Sequence, residues 1–100
     1  MGAYTPEYRL TNSRLEQLVD TSDEWIVKRT GIRERRIAQN ETTWQMALSA
    51  AEKALSDAKI SGEELDVIVV STVTPDSYTP TVACVLQDKL GAKHAKAYDM

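Results

Sequence analysis

The run from Val67 to Val73 constrains the fold most, because it is rich in β-branched residues and apolar at both odd and even positions. A strand that is apolar on both faces is typical of a parallel sheet covered by helices on both sides. Apolar residues then recur at helical spacing between positions 82 and 90, and a short strand is predicted over Ala95 to Met100. Residues 66–100 therefore predict a strand–helix–strand unit of an α/β fold, a unit that closes as a right-handed crossover in nearly all known cases.

The helix of this unit has recognisable ends. Thr79 and Pro80 are predicted to be its N-cap and first residue, because proline is favoured at the first helical position. Gly91 is predicted to end it in the left-handed conformation.

A second, longer helix is predicted before the strand. Thr42 and Gln45 fit a capping box, and apolar residues follow at helical spacing as far as position 58. Residues 61–64 are predicted to form a turn or a short helical piece between this helix and the strand.

The first 40 residues carry weaker signals. Residues 1–10 show no clear period and are predicted to be irregular, and Asn12 or Ser13 is expected to cap a short helix. Thr21 and Glu24 fit a capping box, so a helix is expected to start directly after Thr21, at position 22. Gly31 is a suitable left-handed stop for it, and residues 32–37 are predicted to form an exposed strand or loop.

Composition narrows the class of protein. One hundred residues make one domain or part of one, and 42% apolar with 27% charged residues is ordinary for a globular chain. The net charge of −3 gives no basic field for nucleic acid or a membrane surface, and no apolar run is long enough to cross a bilayer. A single cysteine, Cys84, excludes an internal disulfide, and no secretion signal is present, so a cytoplasmic location is expected.

The one marked concentration of charge lies beside a tryptophan. Five basic residues fall within nine positions directly after Trp25: Lys28, Arg29, Arg33, Arg35 and Arg36. An indole face that stacks on a base, with guanidinium groups for phosphates, would suit a nucleotide-bearing ligand. Alternatively, Trp25 packs into a core and the basic side chains form a solvated face paired with neighbouring acids. Taken alone, the burial habits of these residue types favour the second interpretation.

Other chemistry is weakly represented. Cys84 lies in the middle of a predicted helix, where an unpaired cysteine is usually a small buried hydrophobe, so we expect it to be buried and not a nucleophile. His94 is the only histidine, and nothing in the sequence pairs it with Cys84 as a general base. No Cys/His set has metal-ligand spacing, and no glycine-rich phosphate loop occurs, so no metal site is expected.

Several segments together resemble the N-terminal part of the β-ketoacyl-acyl-carrier-protein synthase III family, of the thiolase superfamily. The resemblance extends over essentially all 100 residues, and the run from Asp20 to Arg35 is its most specific part. The segments that carry it are Gly2-Ala3-Tyr4-Thr5-Pro6 with Thr11-Asn12, Val19-Asp20-Thr21-Ser22-Asp23-Glu24-Trp25-Ile26, Arg29-Thr30-Gly31-Ile32-Arg33-Glu34-Arg35, Thr79-Pro80 through Cys84, and Leu90-Gly91 to Tyr98-Asp99.

The resemblance implies part of a thiolase-like αβαβα fold and a decarboxylating Claisen condensation of an acyl-coenzyme A primer with malonyl-acyl carrier protein, which starts fatty-acid synthesis. It implies a homodimer, and coenzyme A enters as a thioester substrate with no separate cofactor. Trp25 resembles the tryptophan that stacks on the adenine of coenzyme A, Arg29 the arginine near its phosphates, and Thr21 a residue close to the base. Thr79 resembles the position, often Phe, that reaches across the dimer interface into the partner's acyl pocket.

The resemblance places the catalytic residues elsewhere. The family's nucleophilic cysteine would follow Tyr98-Asp99 a few residues past Met100, its histidine and asparagine come later, and Cys84 matches a non-catalytic cysteine. We therefore expect residues 1–100 to be an N-terminal portion, a fragment or one piece of a divided polypeptide, inactive alone. The alternatives are a polyketide or quinolone starter synthase that uses the same coenzyme A site, and a non-catalytic coenzyme A or interaction module.

Overall fold

The computed structural model describes all 100 residues, Met1–Met100. Its elements, in chain order, are β1 (Tyr8–Thr11), α1 (Asn12–Glu16), α2 (Asp23–Thr30), β2 (Glu34–Ile37), α3 (Thr43–Ala58), a 3-10 turn (Gly62–Glu64), β3 (Val67–Val70), α4 (Val82–Leu90) and β4 (Lys96–Asp99). The chain forms two compact units: Thr5–Asn40 is one, and Glu41–Met100 with Met1–Tyr4 is the other. No helix combines the length and apolar character that a membrane span requires.

The larger unit contains the predicted strand–helix–strand element. Strands β3 and β4 pair in parallel, with Val67 opposite Lys96 and Val70 opposite Asp99, and α4 connects them. The prediction of a parallel α/β unit is therefore confirmed. Both strands are shorter than predicted: β3 ends at Val70, whose carbonyl accepts the last cross-strand hydrogen bond, 2.7 Å from the backbone nitrogen of Met100.

Helix α4 covers one face of this two-stranded sheet. Ile68 from β3 packs there in a core of six buried residues that also comprises Val82, Ala83, Leu86, Ala92 and Ala95. Trp44, Ala47 and Leu48 of α3 pack against the same core. The opposite face of the sheet is open, since Val67, Val69 and Tyr98 are 48%, 46% and 51% exposed. Of the two apolar faces predicted for β3, one is covered within these residues.

The N-terminus of α3 has a partner for each of its first backbone N–H groups. Thr42 accepts the Gln45 N–H while the Gln45 side chain accepts the Thr42 N–H, so the predicted capping box is present. The carboxylate of Asp76 accepts the N–H groups of Thr43 and Trp44, at 2.9 and 2.7 Å. These bonds satisfy donors that a helix cannot pair internally.

The predicted start of α4 is wrong by two residues. The helix begins at Val82 with Thr81 as its N-cap, and the cis peptide bond between Thr79 and Pro80 lies outside it. The physical reason is Asp99, whose two carboxylate oxygens accept the N–H groups of Val82 and Ala83 at 3.0 and 2.8 Å. This carboxylate comes from β4, so local sequence rules do not reveal it. The predicted end is confirmed, with Gly91 at φ 68°.

Two glycines allow close approach between elements. A Cβ on Gly2 would collide with the backbone of α3, at the Ala50 carbonyl oxygen and the Ala54 nitrogen. A Cβ on Gly62 would collide with the carbonyl of Leu90, the last residue of α4. Each position therefore requires a residue without a side chain.

The smaller unit contains an antiparallel pair of strands, and the sequence predicted only the second of them, as a strand or loop. Strands β1 and β2 pair with Tyr8 opposite Ile37 and Thr11 opposite Glu34. Strand β2 falls in the segment predicted as a strand or loop, whereas β1 lies mostly in residues predicted to be irregular, so that prediction is wrong. The pair was not apparent because the alternation of apolar and polar residues is weak in both strands.

The helix caps of this unit differ from prediction by one residue. Thr11 caps α1 through the Arg14 N–H, instead of Asn12 or Ser13, because the Asn12 side chain is buried. Ser22 caps α2 through the Trp25 N–H, so the helix begins at Asp23 and the predicted box around Thr21 is wrong. Gly31 ends α2 at φ 74°, as predicted.

Candidate functional site

The candidate site lies on α2, where two side chains one helical turn apart are stacked. The guanidinium carbon of Arg29 lies 4.3 Å from the centre of the Trp25 ring, within the range of a cation–π contact. Trp25 is 52% exposed, while its neighbour Ile26 is buried and anchors the helix. The prediction that Trp25 is exposed beside Arg29 is confirmed, and the alternative of a core tryptophan is wrong.

Shallow hollows flank the Trp25 ring. One is lined by Asp20, Thr21 and Ser22 together with the indole. The half-buried Thr21 thus lies beside Trp25. The second hollow is lined by residues of α2 and its N-cap: Ser22, Glu24, Trp25, Lys28 and Arg29. An exposed aromatic face with hydroxyl groups on one side and cations on the other suits a ligand that is both planar and anionic.

The basic cluster divides into two parts. Arg35 and Arg36 are partly buried and structural: Arg35 donates to the Asn12 side chain at 2.7 Å, and Arg36 to the Pro6 carbonyl at 2.9 Å. Lys28, Arg29 and Arg33 remain exposed. None of the five forms an ion pair with a neighbouring acid, so the predicted pairing of these basic residues with acids is wrong, although three of them are solvated.

The whole length of the chain is similar to known proteins. No family model matches it. A β-ketoacyl-acyl-carrier-protein synthase III from Clostridium perfringens is 54% identical over 99 residues, which are 99% of this chain and 31% of that protein. The Bacillus anthracis protein named β-ketoacyl-acyl-carrier-protein synthase III 1 is 57% identical, over 100% of this chain and 33% of that protein. The chain thus spans about a third of the length of the curated relatives it matches.

Solved structures of proteins with similar names also superpose on the chain. The 3-oxoacyl-acyl-carrier-protein synthase III from Aquifex aeolicus VF5 superposes with a TM-score of 0.92 at 52% identity, over 99% of this chain and 32% of that one. The chain matches the N-terminal third of proteins of the β-ketoacyl-acyl-carrier-protein synthase III family. Its α/β units are part of the thiolase-like fold of that family. The priming β-ketosynthase of the R1128 polyketide pathway is also similar, with a TM-score of 0.91 at 38% identity over 99% of this chain and 30% of that one.

Thr79 lies in the larger unit, whereas α2 belongs to the smaller one. It is exposed in the connection between β3 and α4, next to the exposed Tyr78. Asp76 holds the middle of this connection to the start of α3, and the Thr43 hydroxyl donates to the Thr74 carbonyl at 3.2 Å. The connection that presents Thr79 is therefore fixed before and after that residue, since the Asp99 carboxylate fixes the start of α4.

The expectation that Cys84 is buried is wrong for these 100 residues. Its thiol is exposed, because the buried residues of α4 are Val82, Ala83 and Leu86, and position 84 lies on the other side of the helix. His94 is exposed in the turn before β4. No group of three or more His, Cys, Asp or Glu side chains is placed to hold a metal ion.

Two residues of the smaller unit have roles that the sequence did not predict. Ser22 both caps α2 and lines the hollows beside Trp25, and the signal was its place one residue after Thr21 in a run of four capping residue types. Asn12 is buried beneath α2, and no local pattern distinguished it from an ordinary helix cap.

Proposed function

We propose that the chain is the N-terminal portion of a synthase that condenses an acyl-coenzyme A primer with malonyl-acyl carrier protein, and that α2 holds the adenine nucleotide of the primer. The observation that carries the proposal is the exposed stack of Trp25 and Arg29. In the reaction, the malonyl thioester loses carbon dioxide and its α-carbon attacks the thioester carbonyl of the primer. The new carbon–carbon bond forms as the primer's carbon–sulfur bond breaks, and the thiolate leaves. No catalytic residue is assigned within residues 1–100.

The chemistry of the stack supports an adenine nucleotide. The indole presents one face to Arg29, which leaves the other for a base, and base–aromatic stacking is worth about 1–3 kcal/mol. The guanidinium group supplies charge and donors for phosphate oxygens. Thr21 lines the hollow beside the indole, which supports a role for its hydroxyl at the edge of the base.

The remaining partners follow as part of the same proposal. The substrate is a coenzyme A thioester, and no separate cofactor takes part. The protein acts in the cytoplasm as a homodimer, without nucleic acid or membrane as partner. Thr79 reaches across the dimer interface into the partner's acyl pocket, and its exposed position in the connection between β3 and α4 supports this role.

Calorimetric titration of the full-length protein with coenzyme A tests the proposal. Trp25→Ala is expected to weaken binding roughly tenfold to a hundredfold, since it removes the stacking energy. Trp44→Phe is the matched control, because the second tryptophan packs on the core of the larger unit. Unchanged affinity in Trp25→Ala would overturn the assignment of α2.

A polyketide priming synthase is the second candidate, supported by the 38% identity to the R1128 priming ketosynthase. Both candidates use the same coenzyme A site and differ in the acyl groups they accept. Assays of the full-length protein with a panel of acyl-coenzyme A primers and with acyl carrier proteins of fatty-acid and polyketide systems separate them. Preference for the fatty-acid carrier supports the first candidate, and preference for a polyketide carrier supports the second.

A further inference from the structure

One polar side chain is fully buried, and it lies outside the residues assigned above. Asn12 is 1% exposed and is the only buried polar or charged residue of the chain. Burying an amide is costly unless its donors and acceptor are paired. Every polar atom of the Asn12 side chain has a partner, which makes its neighbours informative.

The partners fix the orientation of the amide. Its oxygen accepts a 2.7 Å hydrogen bond from Arg35 of β2, whose guanidinium group can only donate. Its nitrogen therefore faces two acceptors, the Asp23 carboxylate at 2.7 Å and the Ile32 carbonyl at 2.8 Å. Arg35 also donates to the Leu10 carbonyl at 3.3 Å, which ties it to β1.

The two acceptors belong to opposite ends of α2. Asp23 is the first residue of the helix, and Ile32 follows Gly31, its C-cap. The backbone nitrogen of Asp23 is held as well, by a 2.6 Å hydrogen bond to the Glu16 side chain of α1. One amide thus connects both ends of the helix that carries Trp25 to the β1–β2 pair.

A shift of α2 would move the site with it. Successive residues of a helix are about 100° apart around its axis, as 3.6 residues per turn requires. Trp25 and Arg29 are four residues apart and so lie on the same side of α2. A small rotation of the helix about its axis would therefore redirect the Trp25 ring and the Arg29 side chain together. Because Ile26 is the only buried residue of α2, apolar packing contributes little to fixing that rotation.

We propose that Asn12 is a positioning residue for coenzyme A: its buried amide fixes both ends of α2 and thereby the direction of the Trp25–Arg29 stack. This inference rests on the function proposed above for Trp25 and Arg29. It assigns no contact between Asn12 and the ligand. The effect of Asn12 on binding must then pass through Trp25.

The first test is a double-mutant cycle in the full-length protein, with coenzyme A affinity as the readout. Asn12→Asp keeps the size of the side chain and its bond to Arg35 but replaces the donor facing Asp23 with an acceptor. We expect affinity to fall between about 2-fold and 100-fold, the range of coupling within one hydrogen-bond network. In the Trp25→Ala background the same substitution should have little further effect. Ser13→Ala, an exposed neighbour on α1, is the matched control.

The second test is rescue by exchange. The double variant Asn12→Asp/Asp23→Asn again places one amide donor opposite one carboxylate, and leaves the carboxylate facing Arg35. It should recover part of the affinity that Asn12→Asp loses, because the bond to the Ile32 carbonyl is not restored. Equal losses from Asn12→Asp with and without Trp25, or no rescue by the exchange, would overturn the proposal.

A measurement without ligand separates this inference from the proposed function. In a full-length background in which Trp44 and any tryptophan outside residues 1–100 are replaced by Phe, the fluorescence anisotropy and acrylamide quenching of Trp25 report on the stack alone. Asn12→Asp should lower the anisotropy and increase quenching, and the exchange should reverse both. If these changes occur but Trp25→Ala does not affect coenzyme A binding, the proposed ligand is wrong and the positioning role stands. If fluorescence is unchanged, the positioning role is wrong whatever ligand binds.

Discussion

The carboxylate of Asp76 accepts a 2.7 Å hydrogen bond from the backbone nitrogen of Trp44, at the first turn of α3. The same carboxylate accepts the Thr43 N–H, so it acts as a second N-cap supplied from 32 residues along the chain. Asp76→Ala should lower the free energy of unfolding by about 1–2 kcal/mol, since helix N-caps contribute this much. Urea denaturation measures the loss.

Asp66→Ala is the control for Asp76, because Asp66 is exposed and its side chain caps no helix. A change of similar size in both variants would mean that Asp76 contributes only through charge.

The sequence predicted correctly those structural features whose interacting residues lie close together along the chain. It missed features that depend on residues distant in the sequence. The α3 capping box and the glycine ends of α2 and α4 were correct, because residues within four positions determine them. The start of α4 was wrong because Asp99, 17 positions after Val82, supplies its cap.

The candidate site shows the same division. The resemblance identified Trp25 and Arg29, and a spacing of four residues on one helix sufficed to bring them together. The residue types alone favoured a buried Trp25, since exposure depends on which face of α2 meets the rest of the unit. Asn12 was treated as a cap because its burial depends on Asp23, Ile32 and Arg35, which only the folded chain gathers.

Cys84 is expected to react readily with iodoacetamide in the folded 100-residue polypeptide, because its thiol is exposed on α4. Mass spectrometry of the peptide containing Cys84, sampled over time, should show progressive alkylation without denaturant. Cys84→Ala should leave condensation by the full-length enzyme nearly intact. Loss of acyl-enzyme formation in that variant, with the fold preserved, would instead assign the thiol a catalytic role.

Thr79→Phe is expected to restrict the primers that the full-length enzyme accepts. The larger ring would occupy acyl-pocket volume, and pocket contacts of this size change selectivity by about tenfold or more. The ratio of kcat/KM for a short primer to that for a longer or branched one should therefore rise. Thr79→Ser is the control, and an unchanged ratio in Thr79→Phe would remove this residue from the pocket.

The open face of the β3–β4 sheet predicts self-association of the 100-residue polypeptide on its own. Val69 lies opposite Tyr98 in the register, and both are about half exposed, so they form an apolar surface beside free strand edges. Sedimentation velocity should show oligomers or aggregates, and Val69→Thr should reduce them. Val73→Thr, 97% exposed outside the sheet, should have little effect. A monomer with a cooperative melt would contradict the prediction.

The close approach at Gly2 and Gly62 has a consequence for tolerance to mutation. Neither glycine has positive φ, and neither lies in an α-helix or strand, so a substitution scan guided by secondary structure would rank both as permissive. Yet even alanine would strike backbone atoms of α3 at position 2 and of Leu90 at position 62. In deep mutational scanning, these two sites should be depleted of every other amino acid, while Gly31, with open space around it, should admit Asn.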